Sequence, residues 1–121
     1  TLRKSYGGAH DVMSCKQLRG DINYAWPTAE IAVMGAAGAI EVLEGRAIAS
    51  MNDVEEKNKF IAEKVADYND KFANPYQAAA YGYIDDVIEP RNTRFRVIRA
   101  FQALQTKKLT NPLRKHSNIP L

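Results

Sequence analysis

Two adjacent glycines near the start of the chain, in the sequence Tyr6-Gly7-Gly8-Ala9, are the residues whose types and spacing best fit a chemical role. A glycine pair admits backbone conformations that other residues avoid, and it allows a ligand to approach main-chain N–H groups closely. If a helix begins at this pair, its first N–H groups have no partner within the helix and favour negative charge in front of them. The pattern therefore predicts an oxyanion hole, a site that stabilises developing negative charge without a catalytic side chain.

Other reactive or aromatic side chains have simpler structural explanations. The single cysteine, Cys15, could be a nucleophile, but an isolated cysteine is more often a small packed hydrophobe. Tyr24 and Trp26 could stack on a ligand, although aromatic residues that alternate along a strand more often belong to the core. Asp85 and Asp86 would need a cleft to work as an acid–base pair, so we expect a solvated pair at a strand end.

The composition is typical of one soluble, intracellular domain. The chain has 121 residues, 45% hydrophobic and 26% charged, with no apolar run long enough to cross a bilayer and one cysteine. It carries a net charge of +3. The basic excess lies late in the chain, at Arg91, Arg94, Arg96, Arg99, Lys107, Lys108, Arg114 and Lys115. Such a loose pattern favours a solvated helix face and a basic tail over nucleic-acid binding, while weak attraction to acidic ligands such as CoA phosphates stays open.

The hydrophobic pattern predicts short strands separated by helices, an α/β or α+β class with an incomplete sheet. The predicted elements are a short helix over 8–16, a turn at 19–21, strands over 22–26, 29–34 and 83–88, a small-residue helix start over 35–43, and helices over 53–72, 75–82 and 93–106. Asn52 or Asp53 can cap the third helix, and Thr93 can cap the last. Because the chain opens on Thr1 and the sheet lacks strands, we expect a segment of a longer protein.

Five blocks, in order along nearly the whole chain, resemble the carboxyltransferase (β) subunits of biotin-dependent acyl-CoA carboxylases, most of all the propionyl-CoA type. They are Tyr6-Gly7-Gly8-Ala9, YAWPTAEIAVMG at 24–35, KFANPY at 71–76, GYIDDVIEP at 82–90 with Thr93 and Arg94, and RKHSNIPL at 114–121. A glycine pair alone is a weak signal, whereas five ordered blocks are specific. The resemblance implies a crotonase-like partial domain of the ClpP/crotonase superfamily, with short strands and packed helices. Residues 1–121 would be the C-terminal part of the second, biotin-side domain, ending in an extended tail over 107–121.

The resemblance also implies an activity. Such subunits move a carboxyl group from carboxybiotin to the α-carbon of a short-chain acyl-CoA, here expected to be propionyl-CoA, which gives methylmalonyl-CoA. By the family's pattern, Gly8 and Ala9 donate backbone hydrogen bonds to the ureido oxygen of biotin, and Tyr6 and Gly7 complete the biotin-binding segment. Asp11 matches a position in the acyl pocket, although it can equally be a first-turn carboxylate favoured by the helix dipole. His10 stands where relatives usually carry an aromatic residue; it could be a general base, but an aromatic replacement is the preferred interpretation.

The same resemblance sets the expected partners. Biotin would arrive on a separate carrier, with acyl-CoA as substrate and no metal in this chain. The partners would be the N-terminal carboxyltransferase domain, other β subunits in a homo-oligomer, and the biotin carboxylase and carrier subunit. No nucleic acid or membrane insertion is expected. The location would be a bacterial cytoplasm, or the mitochondrial matrix in a eukaryote.

Two alternatives stay open. The chain could belong to the carboxyltransferase subunit of a biotin-dependent methylmalonyl-CoA decarboxylase, which shares these motifs and runs the transfer backwards. It could instead be a non-catalytic assembly module when isolated, because it lacks the acyl-CoA half of the site. We therefore expect the isolated chain to be inactive.

Overall fold

A computed structural model describes residues 1–110, which contain four short strands and five α-helices. These are β1 Lys4–Tyr6, α1 Gly7–Val12, β2 Tyr24–Ala25, β3 Glu30–Ala32, α2 Ala36–Ser50, α3 Val54–Lys71, α4 Pro75–Ala80, β4 Asp86–Val87 and α5 Thr93–Ala103, with 3₁₀ turns at Lys16–Leu18 and Pro90–Asn92. The block at 114–121, His116 and most of the predicted tail over 107–121 lie outside the described residues.

The four strands form two separate parallel pairs. β1 pairs with β3, with Lys4 opposite Glu30 and Tyr6 opposite Ala32, and β2 pairs with β4, with Tyr24 opposite Asp86. The prediction of three strands in one sheet is therefore wrong. β1 escaped prediction because three residues are too few to show an alternating pattern. Both pairs are parallel, and each is joined through intervening helices or turns, as in α/β folds.

The core consists mainly of small residues packed where β2 and β3 meet α4. Its buried members are Ala25, Ala29, Ile31, Ala78 and Ile84, with Ala79 and Val87 packed against them. The predicted strand over 29–34 is confirmed in its centre, at Glu30–Ala32, but Val33 beyond it is 78% exposed. Small side chains let α4 approach the strands closely. This packing supports one wall of the candidate site that is described below.

The helices α2 and α3 follow β3 in the chain and pack against each other. The Asp53 side chain caps α3 by accepting a hydrogen bond from the N–H of Glu55 at 2.8 Å, as predicted. Lys64 of α3 lies 3.6 Å from Glu44 of α2, which adds an ion pair between the helices. The small-residue helix start predicted over 35–43 extends to Ser50, and α3 buries none of its own residues. Within residues 1–110, no helix is long and apolar enough to cross a membrane.

Helix α5 is fixed to β2 through two aromatic side chains. Trp26 Nε1 donates a hydrogen bond to Thr93 Oγ1 at 2.9 Å, and the Arg96 guanidinium lies 5.2 Å from the centre of the Tyr24 ring. The interpretation of Tyr24 and Trp26 as structural residues is thereby supported. The prediction that Thr93 caps the helix is wrong, because Thr93 is its first residue and its hydroxyl serves Trp26. Phe101 of this helix is 70% exposed, and the helix ends at Ala103 rather than at 106.

Candidate functional site

A sharp turn from strand to helix forms the centre of the candidate site. β1 ends at Tyr6, and α1 begins at Gly7, so the predicted helix start at the glycine pair is confirmed, although α1 ends at Val12 rather than at 16. Gly7 has a φ of +48°, and a Cβ there would lie 2.8 Å from the carbonyl oxygen of Val33. A side chain at position 7 would therefore be strained twice, by its backbone conformation and by contact with Val33. Gly8 has neither constraint, since nothing lies within 4 Å of its would-be Cβ.

The first N–H groups of α1 are available for a ligand. Tyr6, at the N-cap, adopts an extended conformation and makes no side-chain cap hydrogen bond. In the part of the chain that the structure describes, the N–H groups of Gly8 and Ala9 have no hydrogen-bond acceptor. Both N–H groups therefore remain free to stabilise a negatively charged oxygen.

A cavity of about 620 Å³ adjoins this turn, and most of its wall is apolar. Gly8 and Asp11 come from α1, while Tyr68 and Phe72 come from the end of α3. Its full lining is Gly7, Gly8, His10, Asp11, Gln17, Ile31, Ala32, Val33, Leu43, Tyr68, Phe72, Gln77, Ala78, Tyr81 and Tyr83. An apolar cavity with few polar groups is typical of a small-molecule site. Tyr68 and Phe72, both within the helix predicted over 53–72, therefore form part of this wall.

Tyr6 occupies a defined position just before the turn. Its hydroxyl donates a hydrogen bond to Glu30 Oε2, and its ring lies 3.4 Å from the point where a Cβ on Gly35 would stand. Burial, the hydrogen bond to Glu30 and the charges of Glu30 and Tyr68 raise the pKa of Tyr6 to about 12. The Tyr6 hydroxyl is therefore neutral at physiological pH and stays a donor to Glu30. Its side chain is not among the residues that line the cavity.

The polar residues of α1 that line the cavity each have a partner on a neighbouring segment. His10 Nδ1 lies 2.8 Å from the hydroxyl of Ser5, and Asp11 Oδ1 accepts a hydrogen bond from Cys15 Sγ at 3.5 Å. Cys15 is 1% exposed, so the prediction of a packed cysteine is confirmed. Within residues 1–110, no three His, Cys, Asp or Glu side chains are grouped closely enough to hold a metal ion.

Asp85 and Asp86 lie where β4 begins, with side chains 35% and 45% exposed, so the expectation of a solvated pair at a strand end is confirmed; each carboxylate also joins a separate ion pair. Asp85 lies 2.5 Å from Lys16 Nζ and accepts a hydrogen bond from the N–H of Asn23 at 2.6 Å, while Asp86 pairs with Arg96. Burial alone would raise the pKa of Asp85, but the hydrogen bonds from Lys16 and Asn23 and the Lys16 charge outweigh it and lower that pKa. Both carboxylates therefore fix β4 to its surroundings.

The strand–glycine turn and the adjacent apolar cavity lie within a stretch of sequence that the comparison with protein families assigns to one family. The family model described as "Carboxyl transferase domain" matches residues 1–119, and the chain belongs to this family. Its sequence is 57% identical over 119 residues to a propionyl-CoA carboxylase beta chain of Cereibacter sphaeroides. It is 48% identical over the same length to the alpha subunit of a methylmalonyl-CoA decarboxylase of Propionigenium modestum. Each alignment covers 98% of this chain and 22% of the relative, so the chain spans about a fifth of these proteins.

A solved structure supports the fold. Transcarboxylase 12S, crystallised as a hexamer with methylmalonyl-coenzyme A and methylmalonic acid bound, is 44% identical to this chain with a TM-score of 0.86. The match covers 99% of this chain and 22% of the transcarboxylase chain. The predicted crotonase-like partial domain, with short strands and packed helices, is thereby confirmed.

Two residues of the site were missed by reasoning from the sequence. Glu30 and Val33 both lie in the quoted block at 24–35, but nothing in that block marks one as the acceptor for Tyr6 and the other as the contact of Gly7. Their roles depend on the parallel pairing of β1 with β3, and β1 itself was not predicted. The role of Glu30 could have been predicted only with knowledge of the register between β1 and β3.

Proposed function

We propose that this chain is the biotin-side part of a carboxyltransferase that moves a carboxyl group from carboxybiotin to the α-carbon of a short-chain acyl-CoA. Family membership over residues 1–119 and the relative at 57% identity support this proposal. The expected acyl-CoA is propionyl-CoA, since that relative is a propionyl-CoA carboxylase beta chain. The product would then be methylmalonyl-CoA.

The observation that carries the proposal is the pair of free N–H groups of Gly8, which lines the cavity, and Ala9, which follows it in α1 but is not a lining residue. Two amide donors without a partner suit an oxygen that becomes negative during a reaction, and the cavity of about 620 Å³ is large enough for a bicyclic ring system such as biotin. Biotin, when bound, carries the transferred carboxyl group and has a ureido oxygen on which negative charge develops. The residues present therefore fit this group.

Each residue of the turn then has a separate task. Gly7 supplies the positive φ of the turn, next to the Val33 carbonyl. Gly8 and Ala9 donate hydrogen bonds to the ureido oxygen. Tyr6 completes the biotin-binding segment, because it is the last residue of β1 and directly precedes the glycine turn. An oxyanion-hole donor contributes about 3–4 kcal/mol to transition-state stabilisation, so these amides can supply a large part of the catalysis without an acidic or basic side chain.

Asp11 is proposed to line the acyl pocket. It lies in the cavity wall one helical turn beyond Gly7, and its carboxylate accepts a hydrogen bond from the buried Cys15 thiol. That hydrogen bond limits the positions open to the carboxylate. A polar, negatively charged group at this wall disfavours long apolar chains and is consistent with a short acyl group.

The remaining parts of the active site would come from outside this chain. Because the chain spans about a fifth of its relatives, we assign the acyl-CoA half to an N-terminal carboxyltransferase domain and other β subunits of a homo-oligomer. Biotin would be delivered on the carrier of a biotin carboxylase subunit, in a bacterial cytoplasm or a mitochondrial matrix. The isolated chain should accordingly show no carboxyl transfer from carboxylated carrier to propionyl-CoA, whereas turnover by the isolated chain would contradict this division of the site.

The decarboxylase subunit is the second candidate function. The 48% identity to the methylmalonyl-CoA decarboxylase alpha subunit of Propionigenium modestum favours it specifically. Both functions use the same amide pair, so the glycine turn does not distinguish them. An assay of the full-length subunit with its biotin carrier distinguishes them. Net carboxylation of propionyl-CoA supports the carboxylase, and decarboxylation of methylmalonyl-CoA coupled to carboxylation of the carrier supports the decarboxylase.

The amide assignment is tested with Gly8→Pro in the full-length subunit. Proline removes the N–H of position 8 in the first turn of a helix, where no intrahelical hydrogen bond is lost. We expect carboxyl transfer to fall by about a hundredfold or more. Gly8→Ala is the matched control, because it keeps the N–H and its Cβ meets nothing within 4 Å. Unchanged turnover in a folded Gly8→Pro subunit would rule the role out.

A further inference from the structure

Three contacts hold the glycine turn against the segment that runs from β3 to α2. Glu30 accepts the hydroxyl hydrogen bond of Tyr6, Gly35 lies against the Tyr6 ring, and the carbonyl of Val33 lies against Gly7. All three supporting residues come from one stretch of chain, within six positions of each other. We propose that Glu30 is a positioning residue for the amide pair of Gly8 and Ala9, acting through Tyr6; this inference rests on the function proposed above.

The strand register explains why Glu30 and Tyr6 meet. Tyr6 stands opposite Ala32 in the parallel pair of β1 and β3, and Glu30 precedes Ala32 by two residues. Side chains two apart on a strand share one face, so Glu30 and Tyr6 lie on the same face as diagonal neighbours. A tyrosine is long enough to span this diagonal and place its hydroxyl on the carboxylate.

Glu30 has an environment that a merely solubilising glutamate would not need. It is half-buried, and no lysine or arginine nitrogen within residues 1–110 lies within 4 Å of its carboxylate. The Tyr6 hydroxyl is its side-chain hydrogen-bond partner. A half-buried carboxylate without an ion-pair partner loses part of its hydration, and the Tyr6 hydroxyl replaces part of what is lost. Burial and this hydrogen bond also keep the Tyr6 hydroxyl protonated.

Because Tyr6 directly precedes the glycine pair, a restraint on Tyr6 also restrains the amides of Gly8 and Ala9. It is the N-cap of α1, so its own peptide plane leads into Gly7, and Gly8 and Ala9 follow within the first helical turn. Glycines impose few conformational limits of their own, and two in succession need an external restraint to hold one conformation. Oxyanion donors act only when they are fixed at the correct place, and a misplacement of about 1 Å can cost about a hundredfold in rate.

The test compares variants of the full-length carboxyltransferase subunit in the carboxyl-transfer assay with its biotin carrier. Glu30→Ala should lower kcat by about tenfold or more, with the KM for acyl-CoA changed by less than about twofold, because the acyl-CoA half of the site is assigned to another domain and Asp11 lies one turn beyond the restrained residues. Glu30→Gln keeps an oxygen acceptor for the Tyr6 hydroxyl and should restore kcat to within about threefold of the parent. Glu44→Ala removes a carboxylate that pairs with Lys64 between α2 and α3 and should leave kcat unchanged.

A second comparison shows whether Glu30 acts through Tyr6. Tyr6→Phe removes the hydroxyl and should lower kcat as much as Glu30→Ala does, and the double variant should be no slower than either single variant. Additive losses, or a loss in Glu30→Gln as large as in Glu30→Ala, would overturn the proposal. If Glu30→Ala fails to fold, Tyr6→Phe and Glu30→Gln carry the same test, since both keep the size of the side chain.

Gly8→Pro in the same assay separates this proposal from the function on which it rests. Loss of transfer in Gly8→Pro with full kcat in Glu30→Ala and Tyr6→Phe would overturn the role of Glu30 and leave the amide site standing. Full kcat in Gly8→Pro would overturn both. A loss in Gly8→Pro together with a shared, non-additive loss in the other two variants supports both.

Discussion

Gly7 lies so close to Val33 that a Cβ at position 7 would stand 2.8 Å from the Val33 carbonyl oxygen. The next residue, Gly8, has no atom within 4 Å of its would-be Cβ. Two adjacent glycines in one motif therefore differ: Gly7 is required by the fold of the turn, whereas the backbone at Gly8 has space for a Cβ.

The first prediction follows from this difference. Gly7→Ala should destabilise the chain by about 1–3 kcal/mol, because alanine is disfavoured at positive φ and its Cβ must push the Val33 carbonyl away. Gly8→Ala should change stability by less than about 1 kcal/mol and slightly favour the helix. Urea unfolding followed by circular dichroism measures both. Equal effects of the two substitutions would contradict the assignment of the strained conformation to Gly7.

The second prediction concerns the titration of Tyr6, whose pKa is raised to about 12 by burial and by Glu30. An unfolded tyrosine ionises near pH 10, so the folded chain keeps the Tyr6 proton that the unfolded chain loses. The stability contributed by Tyr6 is therefore fully present below about pH 10 and declines as pH rises towards 12. The absorbance at 295 nm, measured as the difference between the parent and Tyr6→Phe, should show a transition with its midpoint well above 10. Glu30→Gln should lower that midpoint, and a midpoint near 10 in the parent would contradict the buried hydrogen bond.

Local sequence signals were sufficient for some elements of the fold. Helix α3 was predicted nearly to its ends, because apolar residues recur at helical spacing over the whole segment and Asp53 offers a carboxylate at the cap position. The helix start at the glycine pair was predicted from the backbone freedom of Gly7 and Gly8. Both predictions depend on residues that are neighbours in the sequence.

Features that depend on distant residues could not be predicted. Thr93 carries a good capping hydroxyl, but Trp26, 67 positions away, uses that hydroxyl as an acceptor. β1 and β4 have three and two residues, and their pairing rather than their sequence makes them strands. The spacing of Phe101 and Phe72 indicates an apolar face but not what covers it, and both are more than half exposed in this chain. The role of Glu30 was missed because the hydroxyl that it accepts belongs to Tyr6, 24 positions away.

The third prediction uses the hydrogen bond between Trp26 and Thr93. Thr93→Val keeps the shape of the side chain but leaves the indole N–H of a half-buried tryptophan without its acceptor, which should cost about 1–2 kcal/mol. Thr93→Ser retains the hydroxyl and should stay within about 0.5 kcal/mol of the parent. Trp26 is the single tryptophan, so its fluorescence reports unfolding at this contact directly. Thr106→Val, at an exposed position beyond α5, serves as the control and should be neutral.

The last prediction concerns the Asp85 carboxylate, which joins β4 to two earlier parts of the chain through Lys16 Nζ and the N–H of Asn23. Its lowered pKa means that the folded chain holds the ionised form more strongly than the unfolded chain does. The contribution of Asp85 is thus present above the unfolded pKa of about 3.9 and is lost as pH falls through the lower folded value. Asp85→Asn should cost about 1 kcal/mol at pH 7, a modest value because both side chains are about a third exposed to screening solvent.

That cost should shrink as the pH is lowered from 5 to 2.5 and as salt is added. Asp67→Asn is the matched control, because its partner Lys71 lies on the same exposed helix face, and its cost should be smaller, about 0.3–0.5 kcal/mol. Urea unfolding of the three chains at several pH values measures the difference. A cost of Asp85→Asn that is the same at pH 7 and pH 2.5 would show that the substitution disturbs packing rather than charge. It would contradict the conclusion that the ion pair with Lys16 fixes β4 to the earlier part of the chain.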